Sequence, residues 1–195
     1  MKTHESCGLR RYSVGMSRFN PLRRLRLGAF LALLALAGPA WAEKLSFDHR
    51  LVPALKAALD SGNAAMIDYD GSNPRYITDV IAVRGRSAKD WDEALVIIAR
   101  APGAKVRTAA QWLDELRGDA RRRCVVDLAV LSQDARTILA ERRADKCPGS
   151  YPRNAIYLIV QGKGSLFMLA VLSRDDLDAA SRGQWLAMLQ SAHIE

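Results

Sequence analysis

Residues 154–172 read NAIYLIVQGKGSLFMLAVL, and the fold turns on how this stretch pairs. Two runs rich in β-branched and aromatic residues, 154–161 and 165–172, flank Gly162-Lys163-Gly164, the composition of a tight turn between antiparallel strands. A half-buried strand alternates apolar and polar residues, whereas these runs are apolar almost throughout. They therefore predict strands that are central, or covered by helices on both faces.

Working outward, CVVDLAVLS (124–132) and RTILAERR (136–143) have the same strand character. TAAQWLDELRGDARRRC (108–124) changes period. Thr108 and Gln111 form a capping pair, and Trp112, Leu116 and Ala120 fall on one helical stripe. SAKDWDEALVIIARAPG (87–103) reads as another helix, with Ser87 and Asp90 as its capping pair and Trp91, Leu95 and Ile98 on one face. AAMIDY (64–69) and YITDVIAV (76–83) read as strands joined by the turn DGSNP. Leu51, Leu55 and Leu59 mark a helix over 48–61, with Pro53 in its first turn and Gly62-Asn63 as its stop. Ser173 and Asp176 are expected to cap a final helix that buries Leu177, Trp185, Met188 and Leu189. The order α-β-β-α-α-β-β-β-β-α, with short links between strands, predicts a single α+β domain. It has a largely antiparallel sheet of about six strands, packed by about four helices.

The N-terminal segment has a different character. LRRLRLGAFLALLALAGPAWAEK (22–44) carries a basic flank, an apolar run over 27–37, a Gly-Pro break and the small-x-small pattern Ala40-Trp41-Ala42. A transmembrane helix needs about 20 apolar residues, and the uncharged run here is shorter and interrupted. The pattern is that of a secretory signal cleaved after Ala42. Arg23-Arg24 is followed two positions on by Arg26, which favours the general export route over the twin-arginine one. Residues 1–15 make the basic region long, and Met16 is an alternative start. Residues 1–42 are thus expected to be an extension and signal, with 43–195 an exported, periplasmic or secreted domain lacking a stable membrane span.

Export alters the meaning of the charge. The whole chain holds 29 basic and 21 acidic residues, a net charge of +8, but 1–42 carries seven of the basic residues and one acid. The remaining domain is close to neutral at +2. Nucleic-acid binding rests on a dense basic surface that neutralises phosphates, so no nucleic-acid partner is expected. Cys124 and Cys147 are the cysteines left after cleavage. As an even pair in an oxidising compartment, without the ligand number of a metal site or the Cys-x-x-Cys spacing of a redox pair, they are expected to form one structural disulfide.

No catalytic set assembles from the sequence. His49 and His193 lie near the ends of the exported domain, and the zinc-hydrolase and nucleophile-elbow motifs are absent. Gly162-Lys163-Gly164-Ser165 lacks the flanking glycine, the residue order and the following helix of a phosphate-binding loop. Asp68, Asp70, Asn73 and Asp79 offer a weak calcium candidate, but the twelfth loop position, where a glutamate is wanted, is Asp79 within a strand, so neither metal nor cofactor is expected. Arg117, Arg121, Arg122, Arg123, Arg142 and Arg143 form a possible partner or anion patch. In the simpler reading, the helix-end arginines complement the helix dipole and pair with Asp114, Glu115 and Asp119.

The sequence therefore favours a non-enzymatic exported protein that binds another protein or an envelope component, as an inhibitor, immunity-type or accessory factor. The alternatives are a small hydrolase using dispersed Asp68, Asp70, Asp79 and Asp127, or a carrier with an apolar pocket around Tyr157, Phe167 and Met168.

Overall fold

The computed structural model describes residues 43–195 except 74, 124, 125, 145, 146 and 148–150. The expectations for 1–42, including the signal, the cleavage site and Met16, lie outside the described residues. In chain order the elements are β1 (Leu45–Ser46), α1 (Pro53–Asp60), β2 (Ile67–Asp70), β3 (Tyr76–Ser87), β4 (Asp90–Arg100), α2 (Ala109–Arg123), β5 (Val126–Gln133), β6 (Thr137–Ala144), β7 (Asn154–Gln161), β8 (Leu166–Ser173), α3 (Ala179–Gln190) and β9 (His193–Ile194). Short 3-10 turns occupy His49–Leu51 and Ala64–Met66.

The hairpin quoted above forms β7 and β8, near the middle of a seven-stranded antiparallel sheet ordered β2-β3-β4-β8-β7-β6-β5. Its continuous apolarity has a direct cause. Ile156, Leu158 and Val160 of β7, with Phe167, Leu169 and Val171 of β8, pack under Leu55 of α1 and Trp185, Met188 and Leu189 of α3. The alternate residues Ala155, Tyr157, Ile159, Leu166, Met168 and Ala170 face the other way, toward Ala109, Trp112 and Leu113 of α2. Each strand therefore feeds two cores, and neither face needs a polar stripe.

Three helices and nine strands replace the expected four and six among the described residues. The largest correction is 87–103, expected as a helix and found as β4. The Ser87 hydroxyl does accept amide protons from Lys89 at 3.3 Å and Asp90 at 3.1 Å. Those bonds tie the two-residue loop of the β3–β4 hairpin instead of opening a helix. Gly85, at φ +124, supplies the irregular step beside it, where a Cβ would collide with the Trp91 backbone. The run ALVIIA is apolar on both faces, Leu95, Ile97 and Ala99 facing one core and Val96 and Ile98 the other, so its apolar residues match helical and strand spacing equally well.

Other departures are smaller. The reciprocal cap of α2 is present: Gln111 N–H donates to Thr108 Oγ1, and Thr108 N–H to Gln111 Oε1, each at 3.2 Å. For α3 the capping residue is Asp178, which accepts from Ser181 N–H at 2.8 Å, and not Ser173. β1 and β9 were not anticipated and pair with each other as a separate ribbon. Cys147 is the one cysteine among the described residues and Cys124 lies outside them. The expected Cys124–Cys147 disulfide includes Cys124 and so lies outside the described residues. Among the described residues, no helix is long and apolar enough to cross a membrane.

Candidate interaction surface

Strand alternation separates most of the residues that the sequence places together. Asp68 and Asp70 lie opposite Val80 and Thr78, whereas Asp79 lies opposite Tyr69, so Asp79 points to the other face of the sheet. Asp70 is also engaged locally, accepting from Ser72 N–H and Oγ, which lower its pKa. Asn73 accepts from Arg75 N–H. No group of three potential metal ligands forms among the described residues. Asp127 sits on β5, at the opposite edge of the sheet from β2, so the four dispersed carboxylates share no site. Likewise Tyr157 and Met168 belong to the α2-side core and Phe167 to the α3-side core, which removes the single pocket proposed around them.

The arginine patch divides in the same way. Arg117 pairs with Asp114 at 3.0 Å and Arg122 with Asp119, both along α2. Arg121 is exposed at the helix end. Arg142 and Arg143 are neighbours on β6 and point to opposite faces. Arg143 approaches Asp176, ahead of α3, at 3.9 Å. Arg142 is 1% exposed on the α2 side, where Nε donates to the Tyr157 hydroxyl at 3.1 Å and Nη2 to the Pro152 carbonyl at 3.0 Å. Its guanidinium lies 4.5 Å from the Tyr151 ring centroid, and that of Arg123 lies 5.9 Å from the same ring. Among the described residues Arg142 Nη1 has no hydrogen-bond partner. Arg142 is thus a core element, not part of an exposed patch.

Two further polar clusters are structural braces or open ground. Glu93 is 6% exposed; its Oε1 accepts from Trp185 Nε1 at 2.6 Å and its Oε2 from Arg84 Nε at 2.8 Å. A cavity of about 180 Å³ opens above it between Arg84, Asp178, Ser181 and Gln184. With both oxygens occupied, Glu93 holds α3 to β4. His49 and His193 line an open cavity together with Ser46, Phe47, Asp48 and Ser191. The two ends of the described region, 43–195, therefore meet.

What the sheet does bring together lies at its β2 end. Cross-strand partners share a face, so the register places Ile67, Tyr69, Ile77, Asp79, Ile97 and Ala99 on the side that carries α1 and α3. One row runs Tyr69–Asp79–Ile97–Leu169–Leu158–Leu139 across six strands. Under α3 its members are buried. Toward β2 the row emerges into solvent, leaving Ile67 43%, Tyr69 64% and Ile77 42% exposed. Asp79 stands among them, and partial burial pushes its pKa up. Single exposed apolar residues are ordinary, but a contiguous group with a desolvated carboxylate is the signature of a contact surface. Asp68 and Asp70, on the opposite face of the short strand β2, guard the sheet edge against pairing with another chain. The sequence carried one signal for this surface: the alternation Ile67-Asp68-Tyr69-Asp70 puts both apolar side chains of β2 on one face.

No protein-family model and no curated protein matches the sequence. Among solved structures the chain is similar to the cyanobacterial PsbP (CyanoP) from Synechocystis sp. PCC 6803. The identity is 11% over 68% of this chain and 95% of that one, and the TM-score is 0.37. A TM-score at that level carries no argument about fold or function.

Proposed function

We propose that this chain is an exported, non-enzymatic protein of the periplasm that binds another protein or an envelope component, and that it does so through the open face of β2, β3 and β4. The reading is carried by one observation: three large apolar residues, Ile67, Tyr69 and Ile77, stand exposed on one face around a half-buried carboxylate. Each residue would gain about 1 kcal/mol by losing its remaining water contact, which offsets part of the cost of bringing a partner onto the group. Asp79 supplies selectivity. A partner that offers it a cation or amide donor is accepted, and one that merely buries it is penalised.

A photo-activatable residue at Tyr69, and a second at Arg121 as the control, tests this reading in cells exporting the protein. Crosslinks to one partner from position 69, lost in the Ile67→Ser, Ile77→Ser background, are expected. Crosslinks confined to position 121, or none from position 69, would overturn it.

A further inference from the structure

Residues 43–48 run outside the seven-stranded sheet as an extended strap, fastened at three points. At the first, Glu43 places its carboxylate in the β7–β8 turn. Lys163 N–H donates to Oε1 at 2.5 Å, Gly164 N–H to Oε2 at 2.9 Å, and the Ser165 hydroxyl to Oε2 at 2.5 Å. A side chain at Gly162 would overlap the carboxylate, so the glycine makes room for it. At the second, Leu45 pairs with Ile194 and Ser46 with His193, and Glu195 N–H donates to the Lys44 carbonyl at 2.9 Å. Leu45 and Phe47 turn inward against the α3-side core, while Lys44 stays exposed. At the third, Asp48 N–H donates to Ser191 Oγ at 2.9 Å.

These three features are those by which proteins read an extended peptide: a backbone nest for a carboxylate, sockets for alternate apolar side chains, and a strand edge for the main chain. The Gly162–Ser165 turn is not a nucleotide loop, yet it holds an oxyanion. We infer that this groove is a strand-docking site which the chain fills with its own residues 43–48, and that its external ligand is an extended peptide of the pattern acidic-x-apolar-x-apolar, presented by the bound partner protein. The inference rests on the binding-protein reading above and adds a second point of engagement, with a defined ligand chemistry.

Displacement works by competition and not by acidification. Glu43 accepts three hydrogen bonds that hold its pKa down at about 2, so the carboxylate stays ionised at neutral pH and well below it. The strap is present at high effective concentration because it is tethered. A partner peptide must therefore outcompete a ligand whose own strand pairing covers only two residues.

The test uses a fluorescently labelled peptide, EKLSFDH, titrated by anisotropy into the wild-type protein and into Glu43→Gln, with near-ultraviolet circular dichroism confirming that the variant keeps its packing. Several-fold tighter binding to Glu43→Gln than to wild type is expected, because the weakened strap vacates the groove more often. The peptide QKLSFDH should bind several-fold more weakly than EKLSFDH. Ser165→Ala in the Glu43→Gln background should also weaken binding, and the amide resonances of residues 163–165 should shift on titration. Binding no better than that of a scrambled peptide, or no movement of those amides, would overturn the site. Dimerisation of Glu43→Gln that competes the peptide away would assign the groove to a second copy and overturn the partner-peptide assignment. Crosslinks at Tyr69 with no peptide binding would fail this inference alone; peptide binding without crosslinks would fail only the open-face reading.

Discussion

The β7–β8 hairpin and the β2–β3 edge use the same kinds of residue in the same sheet, yet one is covered on both faces and the other on only part of one. Leu169 and Val171 lie beneath α3 with no exposed surface, and Met168 and Ala170 lie on the α2 side. Ile67 and Ile77 belong to the same face as Leu169 and remain about two-fifths exposed. The difference arises from helix placement and not from strand composition. An apolar strand is a core element where a helix covers it and an exposed apolar face where none does, because burial and not residue type sets its free energy.

The comparison can be pressed first in the centre. Leu169→Ala should cost about 2–5 kcal/mol, since the rigid surroundings leave a cavity. Ile77→Ser on the open face should cost less, about 1–2 kcal/mol, because only part of that side chain is buried. Urea unfolding of both variants measures the contrast, and equal losses would mean that the open face is core.

Next in size is the buried cation. Tyr157→Phe removes the acceptor of Arg142 Nε and should cost about 1–3 kcal/mol by leaving a buried donor unpaired. Adding Arg142→Met should recover most of that loss, because an apolar side chain of similar length needs no partner there. A double variant as unstable as the single one would show that Arg142 stabilises the α2-side core in its own right.

Smaller effects depend on pH, and their signs differ between the two regions. Asp79 has a folded pKa raised by burial, so the native state disfavours its charged form. Wild-type stability should fall as pH rises from the ordinary value of 3.8 through the raised one. Asp79→Asn should therefore melt slightly higher than wild type at pH 7 and at the same temperature below pH 3. Glu43 behaves oppositely. Its pKa is lowered from 4.5 to about 2, so its contribution is complete above pH 4.5 and disappears as pH falls toward 2. Glu43→Gln should melt somewhat lower than wild type at pH 7, with the gap closing near pH 2. Thermal scans of the two variants across pH 2–7 check both signs, and Asp79→Asn should additionally flatten any pH dependence of partner capture.

The parts of the fold legible in the sequence depended on local physics. The α2 cap at Thr108 and Gln111, the Gly-Lys-Gly turn and the double-faced apolarity of residues 154–172 each follow from neighbours within a few positions. Segment 87–103 was not legible, because a strand that is apolar on both faces has no period, and its Ser87 bonds are common to a helix cap and a hairpin loop. The calcium candidate failed because sequence proximity ignores strand alternation, which sends Asp79 to one side and Asp68 and Asp70 to the other. Arg142 and Arg143 part for the same reason.

Sequence by itself determined the β2–β3, β5–β6 and β7–β8 hairpins, the helix around Trp112, the burial of Trp185, Met188 and Leu189, and the near-neutral charge of residues 43–195. Tertiary structure alone decided that β4 is a strand, that α3 stops short of Ile67 and Tyr69, and that Glu43 reaches a turn 120 residues away. Capping, turn chemistry and periodicity are written in adjacent residues, whereas coverage and strand pairing depend on which distant segments arrive to exclude water.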